Sequence, residues 1–259
     1  MVRRVGGSLI NVSSLVPPDA DVHVYQPTAA NSRSLSAAAM LVENGLGLEG
    51  WMVRLAQASD FKGVRVVASS GVVPRQLREG DAMALDPHAW QNPRNGVIYV
   101  RNIASGLVEA DPSHAETWRS NATAFVAEIE QTDAWIAAQF AAIPASARRI
   151  VTTHDAFGYY GDRYGVTFLA AEGISTDAEP SAKGIAALVR QVKQERVRMV
   201  FLENMTDSRI TKTLAQETGA TVSGPLYSDA LSKPDGPAPD YISMLRYNTS
   251  WFVRAMRAG

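Results

Sequence analysis

The sequence of 259 residues contains no cysteine. This absence excludes disulfide bonds, thiolate catalysis and sulfur-rich metal sites, so imidazole and carboxylate are the only strong ligands left for a transition metal. The formal net charge is only -1, and the chain therefore lacks the basic field that attracts nucleic acid or anionic lipid. Small ligands and other proteins remain as partners.

Long apolar runs are also lacking. No run approaches the roughly 20 apolar residues of a membrane-spanning helix, and the opening stretch Met1–Gly7 has no apolar signal-peptide core. The chain is nevertheless 46% hydrophobic, which is ample for one large domain or for two lobes with separate cores. We therefore expect a globular fold.

Apolar segments alternate with helix-compatible stretches along most of the chain. A parallel sheet covered by crossover helices requires this rhythm, so the pattern predicts the α/β class with mainly parallel sheets. The predicted strands are Leu9–Leu15, Met40–Glu43, Arg65–Ala68, Arg149–Thr153, Thr167–Ala170, Met199–Leu202 and Thr221–Ser223.

One predicted helix is much longer than the others. It begins at Pro112, after Asp111, and ends at Ile143, before Pro144. Apolar residues recur along it at helical spacings and define one stripe: Trp118, Ala122, Phe125, Ile129, Ile136 and Phe140. A helix of this length can span two lobes, so we predict an N-terminal lobe over residues 1–111, a linking helix over 112–144 and a C-terminal lobe over 145–259.

The chain has only four histidines, at positions 23, 88, 114 and 154. Taken singly, each is more simply a solvated or core-satisfied imidazole, and His114, in the polar first turn of the long helix, is assigned no role. His23, His88 and His154 lie where the chain changes direction near the ends of predicted strands. Ligands of α/β proteins gather outside the carboxyl ends of strands, so a site shared by these three is more plausible than three independent positions.

Asp229 also follows an apolar strand candidate, and it precedes the proline-rich stretch 233–239. Alone it is an ordinary loop aspartate. Three neutral imidazoles together with one carboxylate, however, form a four-ligand set suited to tetrahedral zinc, with bonds of about 2.0 to 2.2 Å. We therefore predict a metal site made of His23, His88, His154 and Asp229.

Six stretches in order along the chain carry a family resemblance: His23-Val-Tyr-Gln-Pro27, Asn44-Gly-Leu-Gly-Leu-Glu-Gly50, Asp86-Pro-His-Ala-Trp90, His154-Asp-Ala-Phe-Gly-Tyr-Tyr160, Phe201-Leu-Glu203 and Tyr227-Ser-Asp-Ala-Leu231. Through them the sequence resembles the zinc and manganese receptors of bacterial ABC importers, the TroA-like or ZnuA-like solute-binding family. The resemblance covers nearly the whole chain. It implies two α/β lobes joined by a rigid long helix, with the metal in the cleft between them.

The resemblance also implies roles for individual residues. His23 and His88 would be ligands from the first lobe, and His154 and Asp229 from the second. Glu203 would accept a hydrogen bond from a ligand imidazole and fix its tautomer without binding the metal. Manganese-selective relatives tend to place a carboxylate at the position of His154, so the nitrogen-rich donor set of this chain indicates zinc.

The function implied by the resemblance is that of a periplasmic receptor. It would bind one zinc ion and pass it to the membrane permease of an ABC importer, with no reaction catalysed. We expect a monomer, and a metal-donating chaperone stays open as a further partner. Relatives carry an export signal and a first strand ahead of the helix that ends in Val-Gly-Gly, so we expect Met1 to be an internal start.

Two other differences from the family pattern leave the ligand set intact. Asn31 stands where many relatives have aspartate, and the histidine-rich loop of some zinc receptors is missing. Two alternative functions stay open. One is a manganese or iron receptor on the same fold, and the other is a zinc hydrolase in which Asp229, Asp155 or Glu203 acts as general base beside an open metal position.

Overall fold

Helices and strands alternate along the chain. The computed structural model describes residues 1–79, 82–176, 181–195, 197–206 and 208–258. The strands are β1 Met40–Glu43, β2 Val64–Val67, β3 Gln76–Glu79, β4 Ala82–Leu85, β5 Arg149–Thr152, β6 Thr167–Ala170, β7 Met199–Glu203 and β8 Thr221–Leu226. The α-helices are α1 Val2–Gly6, α2 Ala29–Ser36, α3 Met52–Ala58, α4 Pro93–Ala110, α5 Ala115–Ala141, α6 Gly158–Tyr164, α7 Ala182–Gln194, α8 Ser208–Thr218 and α9 Tyr241–Ala258.

The strands pair mainly in parallel. In the first half of the chain β1 pairs with β2 in parallel and β3 pairs with β4 as an antiparallel hairpin. In the second half four parallel strands follow the order β6-β5-β7-β8. The predicted α/β class with mainly parallel sheets is confirmed, and the carboxyl ends of β5, β7 and β8 meet at one sheet edge.

The long helix predicted from the sequence is present. A 3-10 turn over Pro112–His114 leads into α5, which has 27 residues and is about 40 Å long at 1.5 Å per residue. All six apolar residues of the predicted stripe are buried. They join a core that also includes residues of α4 and α9 and of strands β5, β7 and β8, so α5 holds the two halves together by apolar burial on one face.

The predicted strand Leu9–Leu15 is wrong. Gly7–Leu9 forms a 3-10 turn, and the residues after it belong to no strand. Ile10 packs against the main core, and the carbonyl of Val12 accepts a hydrogen bond of 2.9 Å from the guanidinium of Arg3. The segment thus buries apolar surface and satisfies a backbone carbonyl without a strand partner. The hairpin β3–β4 was not predicted. The other six predicted strands are confirmed, β1 and β6 with the predicted ends and the rest with ends shifted by one to three residues.

Among the helices of the described ranges, none combines the length and the hydropathy needed to cross a lipid bilayer.

Candidate metal centre

The four predicted ligands lie in connecting segments. His88 follows β4, His154 follows β5 and Asp229 follows β8, each within three residues of the strand end. His23 lies in the irregular segment before α2 and does not follow a strand, because the strand predicted there is not formed. Two ligands therefore come from the first half of the chain and two from the second.

These four side chains converge on one point. The Nε2 atom of His23 lies 3.3 Å from that of His88 and 3.3 Å from Oδ2 of Asp229. Asp229 is also 3.1 Å from Nε2 of His154 through Oδ2, and 3.5 Å from Nε2 of His88 through Oδ1. One donor atom from each residue lies within 4.8 Å of all the others, which is compatible with a shared ion at about 2.0 to 2.2 Å from each donor.

The cluster is shielded from solvent. The side chain of His23 is 5% exposed and those of the other three are fully buried. Among the described residues, neither carboxylate oxygen of Asp229 has a well-aligned hydrogen-bond donor, and both ring nitrogens of His154 are likewise without well-aligned partners. Buried polar atoms left in this state are costly, and a cation bound between Asp229 and Nε2 of His154 would remove that cost for the atoms that face it.

Charge within the cluster shifts two pKa values in opposite directions. Burial raises the pKa of Asp229, but attraction to His154 and His88 and hydrogen bonding outweigh burial and hold that pKa well below its ordinary value. Burial lowers the pKa of His154, but the carboxylates of Glu203 and Asp229 outweigh it and raise that pKa well above its ordinary value. Protons therefore compete with a metal ion for the ring of His154 more strongly than for a free imidazole.

Glu203, at the end of β7, lies directly behind His154. Its Oε2 is 2.7 Å from Nδ1 of His154, while its Oε1 accepts backbone N–H bonds from His154 at 2.9 Å and from Thr153 at 3.0 Å. With Nδ1 facing this carboxylate, Nε2 is the nitrogen that faces Asp229. Glu203 therefore lies within hydrogen-bond distance of the His154 ring, and its role in orienting that ring stays a prediction.

A second carboxylate supports His88 and was not predicted. Oδ1 of Asp86 is 2.8 Å from Nδ1 of His88 and also accepts the backbone N–H of His88 at 3.0 Å. Its other oxygen accepts a bond of 2.6 Å from Nη1 of Arg75. Burial raises the pKa of Asp86, but the hydrogen bonds from His88 and Arg75 outweigh it and lower that pKa. The sequence signal for Asp86 was its place two residues before a candidate ligand.

Hydrogen bonds between the two halves hold the loops that carry the other ligands. Asp21 accepts the backbone N–H of His23 at 2.9 Å and the hydroxyl of Thr176 at 2.5 Å. The segment that carries His23 is thereby tied to the loop after β6.

The turn that carries Asp229 is held in the same way. The carbonyl of Ser228 accepts two bonds of 3.0 Å, from the indole N–H of Trp90 and from the side-chain amide of Gln91. Both donors belong to the turn that follows His88.

His114 lies outside the cluster. Its ring packs near Trp118 and its Nδ1 is 2.6 Å from Asp111, at the start of α5.

Comparison with known proteins assigns the chain to a protein family. The family model of the zinc-uptake complex component A, periplasmic, abbreviated ZnuA, matches residues 1–255 of the chain. The chain belongs to this family. Members are substrate-binding components of ABC importers and not enzymes, and they act in the periplasm or outside the cell.

Two relatives are identical to this chain at about one aligned residue in three. The chain is 33% identical over 247 residues to the iron-binding protein YfeA of Yersinia pestis, covering 95% of this chain and 79% of that protein. It is 31% identical over 257 residues to the manganese-binding lipoprotein MntA of Halalkalibacterium halodurans, covering 99% and 84%. The structure of the periplasmic zinc binding protein TroA from Treponema pallidum matches with a TM-score of 0.93 at 24% identity, covering 98% of this chain and 94% of that one.

The last similarity shows the fold, in which two α/β lobes are joined by a long helix. The family assignment makes this chain a metal-binding substrate-binding protein of the ABC importer type, which takes one metal ion and delivers it to a membrane permease. The metals in the names of the relatives differ, so the family assignment does not select the ion.

Proposed function

We propose that this protein binds one zinc ion through Nε2 of His23, His88 and His154 and the carboxylate of Asp229, and delivers zinc to the importer permease. The observation that carries the proposal is the convergence of these four buried donors within 4.8 Å of one another. Three imidazole nitrogens and one carboxylate oxygen are a ligand set that tetrahedral zinc prefers. The carboxylate offsets half of the charge of the ion.

The number of protein donors favours a site that binds and delivers the ion over a catalytic metal site. Four protein donors complete a tetrahedron and leave no position for the water that a zinc hydrolase activates. Glu203 is also a poor general base, because one of its oxygens accepts two backbone N–H bonds and the other faces Nδ1 of His154. The hydrolase alternative would be supported only by ester or peptide turnover that disappears in the His154→Ala variant.

A receptor for manganese or iron is the second candidate, and two observations favour it. YfeA is named for iron binding and MntA for manganese binding. In addition, both oxygens of Asp229 face the imidazoles, since Oδ1 is 3.5 Å from His88 and Oδ2 is 3.1 Å from His154. A carboxylate that binds through both oxygens would offer five donors, a number better suited to a harder ion than to tetrahedral zinc.

Affinity alone does not decide between these metals. An N/O site generally binds zinc more tightly than manganese or ferrous iron, whatever its cargo in the cell. The decisive experiment is isolation of the protein without added metal from cells that supply all three metals at physiological levels, followed by crystallisation and anomalous maps on either side of the zinc edge. We expect zinc with one oxygen of Asp229 as ligand. Manganese or iron in the map, with both oxygens bound, would contradict the zinc assignment.

A further inference from the structure

A chain of charged contacts leads from His88 to the surface of α6. The guanidinium of Arg75 lies between two carboxylates, with Nη1 2.6 Å from Oδ2 of Asp86 and Nε 2.6 Å from Oδ2 of Asp162. The other oxygen of Asp86 is 2.8 Å from Nδ1 of His88. Arg75 is therefore connected to the proposed metal ligand His88 through a single side chain, that of Asp86.

This chain of contacts connects the two halves of the protein. Arg75 precedes β3 in the first half, whereas Asp162 belongs to α6 in the second. The hydroxyl of Tyr159, also on α6, accepts the backbone N–H of Arg75 at 2.8 Å and donates to the carbonyl of Asp86 at 3.0 Å. The same two segments are thus joined by side-chain and backbone contacts.

The first residue of α6 leaves the space that the guanidinium needs. A Cβ atom at Gly158 would lie 1.6 Å from Nη1 of Arg75, so any larger residue would displace the guanidinium. The guanidinium of Arg75 therefore occupies space at the start of α6 that the Cβ atom of any other residue at position 158 would take.

We propose that Arg75 is a positioning residue for metal binding, which holds Asp86 against α6 and thereby fixes the ring of His88. The inference rests on the proposed function. Asp86 is fully buried, and loss of Arg75 would leave one of its oxygens without a partner, a costly state that favours rotation of the carboxylate. A ligand imidazole whose outer partner is no longer fixed loses orientation and affinity for the metal.

The test compares Arg75→Met with a matched control, Arg163→Met. Arg163 lies on α6 and its side chain is 23% exposed, against 22% for Arg75. It pairs with Asp133 through bonds of 3.0 and 2.7 Å, and its described contacts include no residue of the metal cluster. Both variants remove a guanidinium of similar exposure together with its ion pairs, two for Arg75 and one for Arg163, so a general loss of stability would affect both.

Two readouts report the metal site itself. Zinc affinity is measured by competition with a chromogenic chelator, and the visible spectrum of the cobalt(II) form reports ligand geometry. For Arg75→Met we expect an affinity about tenfold weaker, as for other outer partners of metal ligands, and a cobalt spectrum shifted like that of Asp86→Asn. Arg163→Met should keep both wild-type values. Arg75→Lys should recover only part of the affinity, because one ammonium cannot replace a planar guanidinium that holds two carboxylates.

Equal affinity and equal cobalt spectra in Arg75→Met and the wild type would overturn the inference, as would an equal loss in Arg163→Met. If Arg75→Met does not fold, Asp162→Asn takes its place, since that side chain is 66% exposed. It should weaken zinc binding in the same direction but less, and an unchanged affinity would refute the coupling to α6. A wild-type protein that binds no zinc would instead refute the proposed function.

Discussion

Replacing Glu203 by glutamine tests whether the carboxylate behind His154 controls which ring nitrogen is free to bind metal. Oε1 of Glu203 accepts two backbone N–H bonds and Oε2 lies 2.7 Å from Nδ1 of His154. A glutamine would keep its carbonyl on the two backbone donors and turn its NH₂ group towards Nδ1. That nitrogen would then have to accept, which puts the ring proton on Nε2, the nitrogen that faces Asp229.

The size of the effect follows from this change of tautomer. Outer partners of metal-bound histidine contribute about 10- to 100-fold in affinity, which corresponds to about 1.4 to 2.7 kcal/mol. We expect Glu203→Gln to fall in the upper part of this range, because the variant favours the wrong tautomer as well as removing a charge. Chelator competition with zinc measures the affinity, and thermal unfolding of the metal-free protein measures stability separately.

Glu49→Gln is the matched control. Glu49 also accepts two backbone N–H bonds beyond a strand end, from Asn44 at 2.7 Å and from Gly45 at 3.2 Å, and its described contacts include no ligand imidazole. The control should lose stability but not zinc affinity. Wild-type affinity in Glu203→Gln, or equal losses in the two variants, would refute the reasoning about the tautomer.

Three further predictions concern the same cluster. Because the neighbouring carboxylates raise the pKa of His154, protons compete with zinc for its ring more strongly than for a free imidazole. The apparent affinity should therefore fall as the pH is lowered, by up to about tenfold for each pH unit. Titrations between about pH 6 and pH 8 check this, and a flat profile contradicts it. Asp229→Asn removes the carboxylate from the proposed ligand set. It should weaken zinc binding by more than about 100-fold, the upper limit for a residue that only orients a metal ligand; the same competition assay measures this. Free zinc at about 100 times the dissociation constant should stabilise the fold by about 2.7 kcal/mol; a melting temperature unchanged by chelator would contradict specific binding.

Local patterns in the sequence were enough to predict the long helix and most strands. The stripe of α5 repeats at helical spacing and is buried throughout, because packing on the core is what removes a periodic apolar face from water. The strand prediction for Leu9–Leu15 was wrong for a related reason. An apolar run predicts burial, and here Ile10 is partly buried against the main core without pairing to a neighbouring strand.

The hairpin β3–β4 could not be found from alternation. Its side chains Met83 and Leu85 are largely exposed, so apolar residues in these strands do not mark a face packed on the core. The alternation rule applies to strands with one buried face.

Local sequence patterns were limited in the same way for single side chains of the candidate metal site. His154 and Asp229 were predicted because each follows a predicted strand, whereas His88 was predicted from its place in Asp86-Pro-His-Ala-Trp90, where the chain changes direction. Arg75 could not be found in this way, since its partner Asp162 lies 87 residues away. Contacts of this kind depend on how the halves pack, and no spacing within one segment encodes them.

The carbonyl of Ser228 accepts two hydrogen bonds from the turn after His88, and this geometry bears on how the cargo leaves. Asp229 is the next residue, so these bonds restrain the backbone that carries the aspartate. Two such bonds contribute only about 1 to 3 kcal/mol together, a barrier that a docking membrane protein can overcome with a modest contact area. Breaking the hydrogen bonds to this one peptide group would let the carboxylate that offsets half of the charge of the ion move away, and would open the site from the side of the second lobe.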